Sequence, residues 1–470
     1  VVSVAAASIP LRPTSGGYFV QSLRPLAILA AVLTAIAVGA NTVLAADLPA
    51  KAPTYKAPPL AWNWTGFYVG GYLGLGLNRS HGFDPSGAAA GEVEYLGTGF
   101  TGGATVGYNW QLDPHWVVGA EGDFGYLGLS HESVQYNDGF TVNSKTSWLG
   151  TLRGRIGYSS GPNLAYVTGG AAWVHFTDQV TNPPNFAESS KTKLGFAVGS
   201  GLETRLGGNW TIKSESLYVD VGSGDVLPVT LAGPQTLEAD KHRYLVQRFG
   251  LNYLFGGTPA APLPQENWQG FFLGAVGGSA ATQTRVRSAD PTVAIGELGI
   301  TDTGFTAGLI AGYNWQFAPQ WVIGVEGDFS WLGIDHSVND YNDPFATFNL
   351  KTHWVATARA RLGYSTGPAL LYVTGGGAWV NGEESWHSPN SNPAFPTASA
   401  TKTLSGYAVG GGIETTFTLF GLLGPGWLSR SEYLYVNVGD GDTLTQAGFP
   451  VVADHQFHLF RGAVVYRFGG

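Results

Sequence analysis

Residues 100–112, FTGGATVGYNWQL, alternate with a period of two. Phe100, Gly102, Ala104, Val106, Tyr108, Trp110 and Leu112 fall on one side, and Thr101, Gly103, Thr105, Gly107, Asn109 and Gln111 on the other. The same pattern returns at 305–317, where Phe305, Ala307, Leu309, Ala311, Tyr313, Trp315 and Phe317 alternate with polar or small residues. Successive strand side chains point to opposite faces, so these segments are β-strands with one apolar wall. A sandwich strand alternates in the same way, so the period fixes an all-β class and leaves the architecture open.

Spacing between strands narrows it. The first copy of the pattern divides into eight strands near 66–77, 97–112, 115–130, 145–160, 163–177, 192–206, 209–222 and 241–255. The connections alternate: long at 78–96, 131–144, 178–191 and 223–240, short at Asp113-Pro114, Gly161-Pro162 and Gly207-Gly208. An even number of strands longer than about 9–11 residues, with short turns at one end and long loops at the other, is the pattern of a transmembrane antiparallel up-and-down β-barrel. Closure matters because a membrane-embedded sheet has no water to satisfy a free edge. Trp110, Trp116, Tyr158 and Trp210, with Trp315, Trp321, Tyr364 and Trp427 in the second copy, lie near the short turns as an expected membrane girdle.

The chain is a duplication. GYNWQ at 107–111 recurs at 312–316, EGDF at 121–124 at 326–329, and YVTGG at 166–170 at 372–376. Each copy is far too long for a solenoid unit, so the two are domains of one kind. The expected divisions are 1–45 as N-terminal extension and signal peptide, 46–63 as a periplasmic Pro-rich segment, 64–255 as first barrel, 256–267 as linker and 268–470 as second barrel. The signal rests on Arg24, the run LAILAAVLTAIAVGA and the small-residue pattern Val43-Leu44-Ala45, with cleavage expected near Ala45 and the start at Val1 or Val20.

Composition excludes several functions. With 12% charged residues, 69 Gly, 15 Trp, 21 Tyr and 25 Phe, the chain is neither a typical soluble protein nor a disordered one. A net charge of -9 speaks against a nucleic-acid partner, and the absence of Cys removes disulfides, zinc-thiolate sites and thiol catalysis. No cofactor or metal site is expected, since the 10 His lack ligand spacing and are expected at strand ends and loops. DVGSGD (220–225) and NVGDGD (437–442) are acidic loop starts, better explained as turns than as cation sites. GYSSG (157–161) and GYSTG (363–367) match a nucleophile-elbow pattern, but a short Pro turn between strands follows each where a helix is required. No enzyme is expected.

The charged residues that interrupt the strands follow parity. Trp116, Val118, Ala120, Gly122, Phe124 and Tyr126 share the lipid face of one strand, which turns Glu121 and Asp123 inward. Arg153, Arg155, Glu203, Lys213, Glu215 and Arg248 also face inward, giving four acids and four bases. Copy two repeats the balance with Glu326, Asp328, Glu414 and Glu432 against Arg359, Arg361, Arg430 and Arg461. An acid pair could serve glycoside hydrolysis, but a general acid needs a raised pKa, and so many neighbouring cations hold carboxylates ionised. A salt-bridged lumen filling is the better reading: an ion pair at contact gains about 4 kcal/mol in an effective dielectric near 20, which offsets desolvation.

WTGFYVGGYLG (64–74), the GYNWQ and EGDF blocks, WLGTLRGRIGY (148–158), LAYVTGGAAW (164–173) and KSESLYVDVG (213–222) together resemble the alphaproteobacterial porin-like outer-membrane surface-antigen family, related to opacity proteins. The resemblance implies eight-stranded barrels displaying variable loops outside a Gram-negative cell. It implies outer-membrane lipids and the barrel-assembly machinery as partners, the latter reading a terminal aromatic residue. Here the matching positions are Phe255 and Phe468, the first in mid-chain and the second third from last. The tandem leaves two arrangements open: two plugged eight-stranded barrels, or one 16-stranded barrel acting as a passive porin for small hydrophilic solutes. Gly70, Gly74, Gly119, Gly125, Gly157, Gly199 and Gly201, all inward, favour two crowded lumens. The loop ligand is not legible.

Overall fold

The computed structural model describes residues 62–83, 92–134, 141–182, 185–222, 226–231, 233–239, 242–256, 265–288, 298–339, 347–387, 398–416, 423–440, 445–446 and 449–469. The expected signal segment lies outside them.

In the first copy the alternating segments run as β1 (Gly66–Phe83), β2 (Glu92–Gln111), β3 (Trp116–Val134), β4 (Thr141–Ser160), β5 (Asn163–Asn182), β6 (Asn185–Gly207), β7 (Trp210–Asp220), a hairpin β8 (Val226–Leu231) and β9 (Gly233–Ala239), and β10 (Arg243–Phe255). Each wall strand pairs antiparallel with its neighbour, in the order β10, β7, β6, β5, β4, β3, β2, β1. β1 then pairs with β10, from Phe67↔Phe255 to Arg79↔Arg243, and closes the sheet.

The second copy runs as β11 (Gly270–Ser288), β12 (Leu298–Ala318), β13 (Trp321–Asn339), β14 (Thr347–Ser365), β15 (Ala369–His387), β16 (Ala398–Thr416), β17 (Trp427–Asp440), β18 (Thr445–Gln446) and β19 (Phe449–Arg467). Here β11 pairs with β19 from Phe272↔Arg467 to Ser288↔Val451. Two separate closures overturn the 16-stranded alternative and the porin function that depended on it. A shared pore needs β10 to pair with β11, whereas the backbone groups of β10 are taken up by β1 and β7.

Short turns sit where the sequence places them. At the β2–β3 turn, the Asp113 carboxylate accepts the Trp116 N–H at 2.7 Å and the His115 N–H at 2.8 Å. Those two bonds hold its carboxyl below the usual carboxylate range. Gly161 and Gly208 carry φ of 62° and 54°, a left-handed backbone that suits a residue without Cβ. The long connections are shorter than expected. Residues 178–182 and 185–191, assigned above to a loop, continue β5 and β6, with Thr177↔Ser190 and Gln179↔Glu188 in register. Beyond the bilayer both faces are wet, so a strand of Thr, Ser and Gln continues there with no apolar alternation to reveal it. Part of 223–240 likewise forms the β8–β9 hairpin.

One irregularity recurs in both copies. Pairing of β3 with β4 shifts between Tyr126 and Leu129, and that of β13 with β14 between Trp331 and Ile334. Below each shift the inward parity of the charged residues is unbroken.

Candidate functional site

Glycine creates the space inside each barrel. A Cβ on Gly70 would lie 2.0 Å from Asn252 Oδ1, on Gly125 2.4 Å from the Tyr72 hydroxyl, and on Gly201 2.5 Å from the Tyr166 ring. Side chains from neighbouring strands, Asn252 and Tyr166 directly paired with Gly70 and Gly201 and Tyr72 one strand removed from Gly125, occupy the volume these glycines vacate. Gly201→Ala is therefore expected to cost about 1–3 kcal/mol through overpacking. A lower urea midpoint for the first barrel alone checks it; an unchanged midpoint would show that the lumen is loose.

Into that space β3, β4, β6, β7 and β10 send the eight charged residues expected there. Arg153 is the hub of the first lumen: its Nη2 lies 2.6 Å from Glu121 and 2.8 Å from Asp123, and its Nη1 3.2 Å from Glu215. Arg248 grips Asp123 at 2.9 Å and Glu215 at 2.6 Å. Arg155 reaches Glu203 at 3.0 Å, and Lys213 reaches Glu121 at 2.7 Å. All eight side chains are at most 3% exposed. Hydroxyls complete the carboxylates: Tyr68 donates to Glu121 at 2.8 Å, Tyr166 to Glu215 at 2.9 Å and Thr151 to Asp123 at 2.6 Å. Tyr72 lies under the Arg248 guanidinium at 4.5 Å.

The second lumen repeats the network. Arg359 contacts Glu326 at 3.1 Å, Asp328 at 2.9 Å and Glu432 at 3.2 Å. Arg361 and Arg430 share Glu414 at 3.1 and 2.8 Å, and Arg461 bonds Asp328 at 2.7 Å and also Glu432. A coupled change separates the copies. Where the first has Tyr68 and Lys213 on one oxygen of Glu121, the second has Phe272 and Arg430, and Arg430 meets Glu326 at 2.9 Å. The larger guanidinium also serves Glu414, so the lost hydroxyl leaves Glu326 paired.

Each of these eight lumen carboxylates is thus ion-paired with at least one lumen cation, Glu203 with Arg155 alone and the others with two or more. The nucleophile-like serines have another use. Ser159 Oγ accepts the indole N–H of Trp64 at 2.9 Å, and Ser365 Oγ that of Trp268 at 2.9 Å. Each tryptophan is at most 1% exposed and closes the short-turn end of its lumen, with Arg205 stacked over Trp64 at 4.9 Å and Arg467 over Trp268 at 5.7 Å. The acidic loop starts also bond locally: Asp220 accepts the Gly222 N–H at 2.8 Å and Asn437 the Gly439 N–H at 2.9 Å, while Asp225 and Asp442 lie outside the described residues.

Three histidines differ from the surface and strand-end role expected of them. His242, His455 and His458 are buried. His242 pairs with Asp178 at 3.3 Å and His455 with Glu384 at 2.9 Å, above the arginine networks. The repeat held the signal for these pairs: Asp178 and Glu384 each stand twelve residues past the Tyr of YVTGG, and each His stands six before Arg248 or Arg461.

Of the aromatic residues near the short turns, Trp110, Trp116, Trp210, Trp315, Trp321 and Tyr364 are exposed on the outer walls, and Trp427 is half-buried. Tyr158 is only 8% exposed, covered by the stacked ring of His115 at 5.1 Å. Phe255 and Phe468 are both exposed at the ends of the closing strands.

A sequence profile described as an outer membrane protein beta-barrel domain matches residues 29–244 and again 251–468. The chain belongs to this outer-membrane barrel family, twice over. It is 33% identical over 247 residues to the 31 kDa outer-membrane immunogenic protein of Brucella melitensis, covering 49% of this chain and 98% of that one. A 25 kDa outer-membrane immunogenic protein of Brucella abortus is 31% identical over 43% of this chain and 87% of its own length. The 22 kDa outer membrane protein of Rhizobium leguminosarum bv. viciae is 35% identical over 35% of this chain and 68% of its own. The outer-membrane barrel therefore presents its apolar walls to the lipid of a Gram-negative outer membrane.

Proposed function

We propose that the chain is a surface-display protein, two plugged barrels whose long connections meet the environment, and that it passes no solute. The observation that carries this reading is the filling of both lumens: arginine, carboxylate and tyrosine side chains bridge opposite walls with almost no exposed surface, and a tryptophan lies across one end of each. The names of the Brucella relatives, immunogenic proteins of the outer membrane, support exposure of such connections outside the cell.

On this reading the lumen charges are structural struts, and Trp110, Trp116, Trp210, Trp315, Trp321, Tyr364 and Trp427 anchor the walls at the periplasmic interface, with Tyr158 a minor member. Phe255 and Phe468 are the residues presented to the assembly machinery. The segment ending near Ala45 directs export, and residues 64–255 and 268–470 are the two units.

An epitope tag inserted at 135–140 should bind antibody on intact cells, whereas the same tag at Asp113-Pro114 should bind only after the outer membrane is opened. Equal labelling of both sites, or the reverse order, would overturn the reading.

A further inference from the structure

Outside a lipid-facing barrel, side chains should be apolar, and on β3 and β4 they are: Phe124, Leu152 and Ile156 stand exposed. The wall formed by β7 and β10 departs from this. Outward parity there places Ser214, Ser216 and Gln247 between Ile212 and Tyr218, yet Ser214 is 0% and Gln247 2% exposed. On the second barrel the outward Ser431, Tyr433 and His458 of β17 and β19 form a matching polar strip, with His458 only 6% exposed.

These groups are bonded into a chain that crosses between the barrels. Ser216 donates to Gln247 Oε1, Gln247 Nε2 donates to Ser214 Oγ at 2.9 Å, and Ser214 Oγ lies 2.9 Å from Ser431 Oγ. Beside this chain, the Tyr433 hydroxyl and His458 Nδ1 are 2.8 Å apart. Apolar contacts flank the strip, Leu77 and Leu96 packing with Ala281 and Phe460, and Leu202 with Ala369 and Ile413. At the short-turn end Asn163 Nδ2 donates to the Thr416 carbonyl at 2.9 Å, and toward the other end Arg79 pairs with Asp302 at 3.3 Å.

We propose that this strip is a docking face inside the bilayer, whose partner is the other barrel of the same chain, so that the two barrels form one laterally fused body. Lipid supplies no hydrophobic drive between apolar walls, so association within a membrane rests on packing of small residues and on hydrogen bonds. Ser and Gln facing lipid would have no outside partner, whereas the opposing serine supplies one. β10 ends at Phe255 and β11 begins at Gly270, each at the short-turn end of its own barrel, so covalent connection through 256–267 makes docking an intramolecular event at high effective concentration.

The absence of Cys in the chain makes the test clean. In the full chain folded in vesicles, the Ser214→Cys/Ser431→Cys variant should form an intramolecular disulfide under mild oxidant. Its yield should exceed that of a Leu152→Cys/Ser431→Cys control by at least about tenfold, as proximity dictates. Asn163→Cys/Thr416→Cys tests the same face at another height and decides the matter if the first variant does not fold. Cross-linked monomer in a folded pair, with the two peptides joined in the mass spectrum, supports the proposal. Folded protein with free thiols, or links formed only between separate chains, overturns it.

Discussion

Arg153→Met is expected to lower the unfolding free energy of the first barrel by about 3–5 kcal/mol, the usual cost of removing one partner from a buried ionic network. Arg153 touches Glu121, Asp123 and Glu215 at once, so its loss leaves four buried carboxylates facing three cations. Met retains much of the volume, so the change isolates charge from packing. Urea titration in detergent should show a lower midpoint for one barrel only, while Arg359→Met should move the transition of the other. Curves that match the parent would mean that the network is solvated and contributes little.

Trp64→Ala should cost a similar amount, about 3–5 kcal/mol for truncation of a fully buried tryptophan. The indole fills the short-turn end of the lumen, donates to Ser159 and lies against Arg205, so truncation opens a cavity and removes both contacts. Trp116→Ala is the comparison, because Trp116 is 40% exposed on the outer wall. Loss of heat-resistant folded mobility at a lower temperature for the first variant than for the second checks the prediction. Equal losses would mean that Trp64 is no plug.

The wall was legible in the sequence because lipid on one side enforces a strict period of two. That period alone oriented Glu121, Asp123, Arg153 and Arg155 inward, and the structure brings these side chains together. Outside the bilayer the constraint disappears, which is why the continuation of β5 through 178–182 and of β6 through 185–191 had no local signal. Closure was not legible either, since pairing of β1 with β10 joins segments far apart in sequence and a 16-stranded sheet would use the same strands. The Trp64–Ser159 contact and the two histidine–carboxylate pairs are also long-range. Comparison of the two copies at matched positions would have exposed them.

The central claim is that each copy closes on itself around a filled lumen, and conductance across a planar lipid bilayer tests it most directly. Folded full-length chain should insert without opening stable unitary steps, and residues 64–255 alone should behave the same way. Reproducible ohmic steps of a size expected for a water-filled 16-stranded pore, present with the full chain and absent with either half, would contradict it.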